Sequence, residues 1–522
     1  MGQEVQKTLA DKKDLSNTKI QQFVNKGGVT STANVIKAKK PDETPKQTRD
    51  TVIAKLKETM YDETITPTDA EIYIDEAAGT EVKDALTSCS GTTDECNTKA
   101  EAVVRDSVTG GKTMDPNQIK TKLARLKDHI ARTELSNLNE ACVDEDMSEA
   151  ACKSTKKQSM ATILGKPATD IKDDEMKLYE MKGSQNKVED TMSTCREDAT
   201  KSVDDCRSEA KAAYKKSEGL EDGATVDNAE FQNTLDKGFD NSVKDRVTAC
   251  RLAADGVPEV ENACREPDAF KNDLATITDA DITNEEIQDI EIKVIKAAVG
   301  EAAAGTKTLP DADKRAEFRN NMKEIGEDFQ AEVDAGKFMN ENNFVDKAAG
   351  SAVALQAKAC AAAGVVQCDV TKVYQETTMA KSDGGRRRLT ASKTQKIKSK
   401  GASALMQERG EACLTLHKDD ATVDLTACSE SLKTAYTQLM PEKNIKRDEK
   451  KARSRIGAEK VRNCFKASVT DGADAAAKAT LRTTCKAKAK VIMDKLVLKE
   501  ADGTIATKLE TIPEAIDREG KS

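Results

Sequence analysis

Fourteen cysteines are the residues of this chain whose type and spacing most directly imply chemistry. In sequence order they fall into close pairs, and the first members of successive pairs are 53, 53, 55, 110, 53 and 51 residues apart. The seven pairs are Cys89–Cys96, Cys142–Cys152, Cys195–Cys206, Cys250–Cys264, Cys360–Cys368, Cys413–Cys428 and Cys464–Cys485. Cysteines in this arrangement can form disulfide bonds or bind a metal ion.

The spacing within the pairs favours disulfide bonds over a metal site. Structural zinc needs four ligands, usually in two close pairs such as Cys-X2-Cys. Here the spacing varies freely from the shortest pair, Cys89–Cys96, to the longest, Cys464–Cys485, and the chain has only two histidines, His129 and His417. A disulfide can close loops of different length, whereas metal-ligand spacing is restricted. We therefore expect seven local disulfides, no metal ligands, and an oxidising compartment.

The familiar catalytic and cofactor motifs do not occur in the sequence. It contains no Gly-X4-Gly-Lys-Ser/Thr, no Gly-X-Gly-X2-Gly and no Gly-X-Ser-X-Gly. His417 follows Cys413 by four positions, but a solvent-facing histidine explains this better than a catalytic Cys–His pair. The net charge of −9 does not indicate a basic nucleic-acid-binding protein. We expect no cofactor, no nucleic-acid partner and no enzymatic activity.

The regular advance of the cysteine pairs predicts an internal repeat of about 53 residues. The long interval between Cys250 and Cys360 is two periods, so one cysteine-free unit should have its pair positions near 303–313, and another should lie near Ile36. This gives about nine units. The predicted segments are an N-terminal arm (1–30), a cysteine-free repeat (31–84), four paired repeats (85–300), a cysteine-free repeat (301–355), three paired repeats (356–512) and a tail (513–522).

Apolar residues recur every three or four positions before several of the cysteines, which predicts helices. The clearest stripe is Phe231, Leu235, Phe239, Val243, Val247 and Cys250. Residues 119–138, 287–298 and 505–516 have similar stripes, and the residues from Pro67 have the composition of a helix start. We expect an all-α chain of tandem helical repeats, each clamped by a disulfide, in an elongated array where each unit contacts mainly its neighbours.

A glycine often precedes the first cysteine of a pair by about three helical turns. These glycines are Gly79, Gly183, Gly238, Gly350 and Gly401, with Gly457 as a looser match. Glycine costs about 1 kcal/mol inside a helix, so its recurrence needs a reason. It either ends one helix before the next begins or allows another helix to approach closely. The sequence leaves both explanations open.

The composition predicts thin hydrophobic cores that need additional stabilisation. The chain has 522 residues and no Trp, with 3% aromatic and 34% charged residues. A unit of about 53 residues is near the size where hydrophobic burial alone is marginal. A disulfide that closes a loop of these lengths contributes about 2–3 kcal/mol. Stacking of units and covalent bonds would together make such units stable.

The sequence gives mixed indications of cellular location. Paired cysteines favour the cell surface or the extracellular space. However, the first residues lack the apolar core of a signal peptide, and no apolar run approaches the roughly 20 residues that span a bilayer. A processed product, a segment of a longer protein and export by another route all remain open.

A basic segment, Lys381–Leu389, interrupts the pattern with two glycines and Arg386, Arg387 and Arg388. It is typical of an exposed loop. Such a loop could be a processing site for a protease that cleaves at basic residues, or a small anion-binding patch. A solvated loop without a specific role explains the same residues.

Three features together resemble a known group of proteins: the recurring Ala/Asp/Thr-Cys-Arg/Lys…Lys-X-Ala element, the helix start Thr278-Asp-Ala-Asp and the segment Arg386-Arg-Arg-Leu389. The chain is similar to long, uncharacterised, cysteine-paired helical-repeat proteins predicted in marine unicellular algae. The resemblance implies a surface, secreted or filament role.

The preferred functional interpretation is a subunit of an extracellular filament, surface appendage or coat. Its partners would be other copies of the chain or related repeat proteins. The alternative is a solenoid-type binding or adhesion module for a protein or glycan.

Overall fold

The structure, a computed structural model, describes most of the chain. The described residues are 17–39, 43–60, 62, 64–196, 200–221, 223–254, 257, 260, 284–306, 309–328, 341–378, 390–417, 423–425, 428, 432–468 and 474–497. Cys264, Arg386–Arg388 and the helix predicted over 505–516 lie outside these ranges.

The described part of the chain is almost entirely helical, as the spacing of apolar residues predicts. Its α-helices are α1 (Asn17–Ala38), α2 (Pro45–Met60), α3 (Pro67–Thr87), α4 (Thr93–Ser107), α5 (Pro116–Asp144), α6 (Glu149–Leu164), α7 (Asp173–Arg196), α8 (Val203–Ser217), α9 (Asn228–Ala254), α10 (Asn284–Gly305), α11 (Asp311–Asp328), α12 (Glu341–Ala362), α13 (Val370–Thr378), α14 (Ala391–Leu416), α15 (Lys433–Leu439), α16 (Ile445–Ser468) and α17 (Ala475–Lys495). Two short strands, β1 (Val423–Asp424) and β2 (Leu496–Val497), pair in parallel.

Several helices begin where a side chain caps the free backbone amides. Thr66 accepts a hydrogen bond from the Asp69 amide, and the Asp69 carboxylate accepts one from the Thr66 amide in return. This reciprocal arrangement satisfies two amides that have no partner within the helix. The predicted helix start at Pro67 is therefore confirmed, and α4, α5 and α8 begin with the same type of box.

The chain divides into two compact units. Unit 1 comprises residues 1–224, 241–280 and 301–330, and unit 2 comprises residues 225–240, 281–300 and 331–522. Each unit has its own helical packing.

In unit 1, four helical hairpins follow one another: α1–α2, α3–α4, α5–α6 and α7–α8. The first helix of each hairpin packs against the first helix of the next. In addition, α1 contacts α7, so the first and fourth hairpins meet. This contact is additional to the larger contacts that each hairpin makes with the hairpins next to it in the chain.

In unit 2, the long helix α12 packs against α13, α14 and α15. Helix α14 packs in turn against α16, and α16 forms a hairpin with α17. The strands β1 and β2 connect the segment after α14 to the residues that follow α17.

The hydrophobic core consists of several small clusters. One cluster joins α1, α2 and α3 through Ile36, Leu56 and Ile74, each no more than 5% exposed. Another cluster joins the four helices α3, α4, α5 and α6 and is built mainly from Ala, Val, Leu and Ile. The largest side chains are few, which agrees with the low aromatic content. Thin clusters of this kind leave room for charged side chains between the helices.

The recurring glycines lie inside helices, which excludes the idea that they end them. At Gly183 in α7 a Cβ atom would overlap the backbone carbonyl of Arg132 in α5, so two helices approach closely there. At Gly401 in α14 it would overlap the side chain of Val353 in α12. No atom lies within 4 Å of the corresponding position at Gly79. The close-approach explanation therefore holds for Gly183 and Gly401 but not for Gly79.

The predicted segment boundaries differ from the ends of the helices. The predicted arm (1–30) overlaps α1, which begins at Asn17 and continues through Gly27–Gly28. Its residues Val29, Ala33 and Ile36 pack against α2 and α3, so the apolar part of this segment is buried. The boundaries at 84/85, 300/301 and 355/356 also fall inside helices. These boundaries follow from the positions of the cysteines. Because the cysteines lie near the tips of the hairpins, the boundaries do not coincide with the helix ends.

Candidate functional site

Six of the predicted disulfide bonds are present among the described residues. They are Cys89–Cys96, Cys142–Cys152, Cys195–Cys206, Cys360–Cys368, Cys413–Cys428 and Cys464–Cys485. Their Cα–Cα distances of 5.5–6.2 Å are normal for disulfides. The first cysteine lies near the end of a long helix, or just beyond it, and the second lies in the loop or helix that follows. Each bond therefore closes the tip of a hairpin.

Two predicted features cannot be placed in the same way. The partner of Cys250 is predicted to be Cys264, which lies outside the described residues. The proposed processing loop, Arg386–Arg388, also lies outside them.

The residues considered for metal or catalytic chemistry are dispersed. Among the described residues, no group of three or more His, Cys, Asp or Glu side chains could hold a metal ion. Cys413 is bonded to Cys428, so it is not a free thiol beside His417. His129 has an exposed side chain, and the protein atoms packed around it and the nearby Arg132 guanidinium lower the pKa of its imidazole. His129 is therefore neutral at neutral pH.

A buried ion pair in unit 1 joins α2, α3 and α9. Arg49 Nη1 lies 2.7 Å from Glu71 Oε1, and the two side chains are 4% and 2% exposed. Arg49 also donates to the Leu252 carbonyl at 3.0 Å, and Thr109 donates to Glu71 at 2.6 Å. Burial raises the pKa of Glu71, although these donors oppose the shift. The pair thus connects three helices and the loop after α4 through hydrogen bonds that satisfy both charges.

A second cluster in unit 1 lies one turn from the close approach at Gly183. Arg132 in α5 pairs with Asp128, and the Lys182 ammonium in α7 lies 3.8 Å from the same carboxylate. Burial opposes ionisation of Asp128, but these two cations outweigh it and lower the pKa of Asp128 to about 2. Lys182 also lies 5.8 Å from the centre of the Tyr179 ring. The cluster therefore adds polar contacts between α5 and α7 where their backbones are nearest.

Acidic side chains without this balance occur elsewhere in unit 1. Burial raises the pKa of Glu189 in α7 to about 8; the Asp190 and Asp245 carboxylates add to the shift, and the Ser242 hydroxyl and the Arg246 guanidinium oppose it. Burial and the same two carboxylates raise the pKa of Glu76 in α3 to about 7. Glu76 and Asp190 remain exposed to solvent, which screens part of the repulsion. Folding therefore brings like charges from three helices together.

In unit 2 the guanidinium of Arg409 in α14 is the centre of an ion cluster. Its side chain is 3% exposed, and its Nη2 lies 2.7 Å from Asp227 Oδ2. Nη1 lies 3.4 Å from Glu230 Oε2, and Nε donates to the Cys428 carbonyl. Asp227 accepts from the Glu230 amide at 3.0 Å, so it caps the start of α9. Arg409 thus ties together α14, the start of α9 and a disulfide-bonded cysteine.

Lysines complete the charge balance around Arg409. Lys358 Nζ in α12 lies 3.0 Å from Glu230 Oε1, and Lys237 Nζ in α9 lies 2.8 Å from Glu408 Oε2. Burial opposes ionisation of Glu230 and Glu408, but the neighbouring cations outweigh it and lower the pKa of both carboxyls. Both acids are therefore ionised and paired at neutral pH, and they stabilise the contacts of α9 with α12 and α14.

The buried ion clusters were missed by sequence reasoning, although one signal was visible. Arg409 occupies a position in the buried stripe of α14 between Met406 and Ala412. A charged residue at an apolar position of a helix indicates a paired charge in the interior, since an isolated one would be costly. The identity of the partner could not be read from the sequence, because Asp227 lies far away in the chain.

Comparisons with protein-family models, with curated proteins and with solved structures found no match for this chain. Within the described part of the chain, none of the helices has the length and apolar character needed to cross a membrane. The candidate functional features are therefore the disulfide-closed hairpin tips and the interhelical ion clusters.

Proposed function

We propose that the chain is a tandem helical-repeat protein that serves as a structural subunit of an extracellular filament, surface appendage or coat. The starts of the long helices support the repeat, because successive starts are separated by about one period of the cysteine pairs. These helices are α1, α3, α5, α7, α9, α10, α12, α14 and α16. Helices α1 and α10 have no cysteine pair, and their C-terminal ends lie near Ile36 and residue 303, where the cysteine-free units would have their pair positions.

The six disulfides at successive hairpin tips are the observation that carries the structural role. Each closes a short loop and contributes about 2–3 kcal/mol by restricting the unfolded chain. Disulfides of this kind persist in oxidising compartments. A protein with thin cores and many covalent clamps is well suited to withstand dilution and proteolysis outside the cell. The partners in such an assembly would be other copies of the chain or related repeat proteins.

Electron microscopy and light scattering of the oxidised full-length protein test this proposal directly. The expected result is linear or sheet-like assemblies whose mass grows with concentration between about 1 and 100 μM. Reduction of the disulfides is the matched control and should abolish the assemblies. A protein that stays monomeric over this range, both alone and in native material, would contradict the structural role.

A binding or adhesion module is the second candidate function. It would use the exposed surface of the helices rather than self-assembly. The excess of positive charge in the α16–α17 hairpin of unit 2 supports this candidate.

A further inference from the structure

Positive charge is concentrated in one helical hairpin of unit 2, α16–α17. Residues Ile445–Lys495 contain 15 Lys and Arg but only 6 Asp and Glu, in a chain whose net charge is −9. This segment, the basic hairpin, therefore has a net charge of +9. Clusters of basic residues of this density create a positive field that attracts polyanions.

The positive charges of the basic hairpin lie mainly on its surface, whereas two of its acids, Asp448 and Glu449, are at most 3% exposed. The exposed basic side chains are Lys446, Arg447, Lys450, Lys451, Arg455, Lys478, Arg482, Lys488 and Lys490. Among the hairpin side chains that the structure describes, Asp474 is the one exposed acid, and its carboxylate accepts from the Ala477 amide as a helix cap. Among the described side chains of the hairpin, the exposed charges are therefore almost all positive, and Glu459 is half-buried.

The two helices of the basic hairpin are held side by side at two levels. The Cys464–Cys485 disulfide joins them at one level, where the Arg482 guanidinium also lies 5.0 Å from the Phe465 ring. At the other level Arg453 Nη1 donates to the Leu496 carbonyl at 2.6 Å. The two links are separated by the same number of residues along both segments, so the helices are antiparallel over about 16 Å. The two links therefore fix the positions of the two helices, and of the charges on them, relative to each other.

The basic residues of α17 follow helical spacing. Lys478, Arg482, Lys486 and Lys490 recur at every fourth position, which places them along one face of the helix over about 18 Å. Lys486 is half-buried, and the other three are exposed. The neighbouring Ala479 is also exposed and is small enough to leave the row accessible. Successive charges in the row are about 6 Å apart along the helix axis, so the row can contact several anionic groups of one extended chain.

Other classes of ligand fit this surface less well. A protein interface usually needs buried aromatic or apolar anchors, and Val491 is the one large apolar side chain exposed among the described residues of the hairpin. An interfacial membrane helix needs a face of large apolar residues. Single-stranded nucleic acid stacks on aromatic side chains, but Phe465 is the hairpin's only aromatic residue and is half-buried. The disulfides favour an extracellular polyanion over intracellular nucleic acid.

We propose that the basic hairpin binds a linear anionic polysaccharide bearing sulfate or carboxylate groups. Binding comes mainly from the release of counterions as Lys and Arg neutralise the anionic groups of the chain. It needs an extracellular protein but not self-assembly, so a monomeric protein that binds the polysaccharide would remove the filament proposal and leave this one intact.

Binding of the oxidised full-length protein to dextran sulfate, polygalacturonate and uncharged dextran in 0.15 M salt tests the proposal. The first two probes distinguish sulfate from carboxylate recognition. A variant with K450Q, K451Q, K478Q and R482Q should bind the preferred anionic probe on the order of 100-fold more weakly, and the slope of its salt dependence should fall by about one for each charge removed. Circular dichroism verifies that the variant is folded.

A matched variant with K46Q, K99Q, R105Q and K120Q removes the same charge from exposed positions of unit 1. It should bind as tightly as the wild type within about twofold. Equal weakening in both variants, or no wild-type binding to either anionic polysaccharide, would overturn the proposal. Tighter binding to duplex DNA, anionic lipid vesicles or a second copy of the chain at the same salt concentration would also overturn it.

Discussion

Two ion clusters of this protein, one around Glu230 in unit 2 and one around Glu189 in unit 1, differ in charge balance. In unit 2, Arg409 and Lys358 surround Glu230, and these cations lower the pKa of its carboxyl. In unit 1, Glu189 has two acidic neighbours, Asp190 and Asp245, and burial among them raises its pKa to about 8. Both regions lie between helices with thin apolar packing. Balanced charges can therefore join helices in this protein, whereas unbalanced charges make their packing depend on pH.

The buried guanidinium of unit 2 provides the strongest test of this comparison. Arg409→Met should lower the free energy of unfolding by about 3–5 kcal/mol, because it removes the guanidinium that pairs with Asp227 and one of the two cations beside Glu230. Urea unfolding of the oxidised full-length protein at pH 7 measures the effect. Lys55→Met is the control and should change stability little, since Lys55 and its partner Glu58 are 45% and 71% exposed and solvent screens their attraction. Similar losses of unfolding free energy in both variants would show that the Arg409 cluster stabilises the protein no more than an exposed ion pair does.

The Cys195–Cys206 disulfide tests how much a covalent bond stabilises unit 1, where the unbalanced charges lie. Cys195 and Cys206 are both fully buried and close a loop with a sequence separation of 11. Replacing both with alanine should lower the free energy of unfolding by about 2–3 kcal/mol. The difference from the wild type should disappear when unfolding is measured in reducing buffer. A difference of the same size in reducing buffer would mean that side-chain packing, rather than the bond, provides the stability.

The crossing of α5 and α7 tests how closely packed the unit 1 helices are. Gly183→Ala should destabilise the protein by about 1–3 kcal/mol, because the new methyl group overlaps the Arg132 carbonyl. Gly79→Ala should instead stabilise it by about 0.5–1 kcal/mol, since the site is helical and open. Thermal unfolding of the two variants should therefore shift in opposite directions. A shift in the same direction would contradict the close approach at Gly183.

The unbalanced acids of unit 1 predict a pH dependence. The pKa of Glu189 is raised from 4.5 to about 8, so its cost is absent below pH 4.5, grows as the pH rises, and is complete above pH 8. Glu189→Gln should raise the free energy of unfolding by about 1–2 kcal/mol at pH 9, after allowance for solvent screening. Urea unfolding at pH 4.5 and pH 9 measures the difference. A gain that is the same at both values would exclude Glu189 as its source.

The helices and the disulfides could be predicted because they depend on residues close in sequence. The stripe ending at Cys250 correctly predicts the course of α9, and Pro67 marks the start of α3. Each observed disulfide joins cysteines that are neighbours in the order of cysteines along the chain, so that order alone identifies the pairs. The predicted boundaries at 84/85, 300/301 and 355/356 fall inside helices, because they are counted from cysteines that lie near the hairpin tips.

The ion clusters and the contact between α1 and α7 could not be predicted. Helical spacing shows which side of a helix faces inward, but it does not show which helices meet. Arg409 and Asp227 are far apart in sequence, and nothing in the residues around either one indicates the other. The recurring glycines show the same limit. Gly79 and Gly183 lie at similar distances before the first cysteine of a pair, but only Gly183 has another helix close to its Cα atom.

The sequence by itself determined the helical class, the hairpin tips and the cysteine pairing, because helix periodicity, capping and loop closure act over a few tens of residues. Tertiary structure alone decided which charges are neutralised and which helices cross closely. Those outcomes depend on how residues distant in the chain are brought together, and a thin core makes that arrangement sensitive to each buried charge and each Cβ atom.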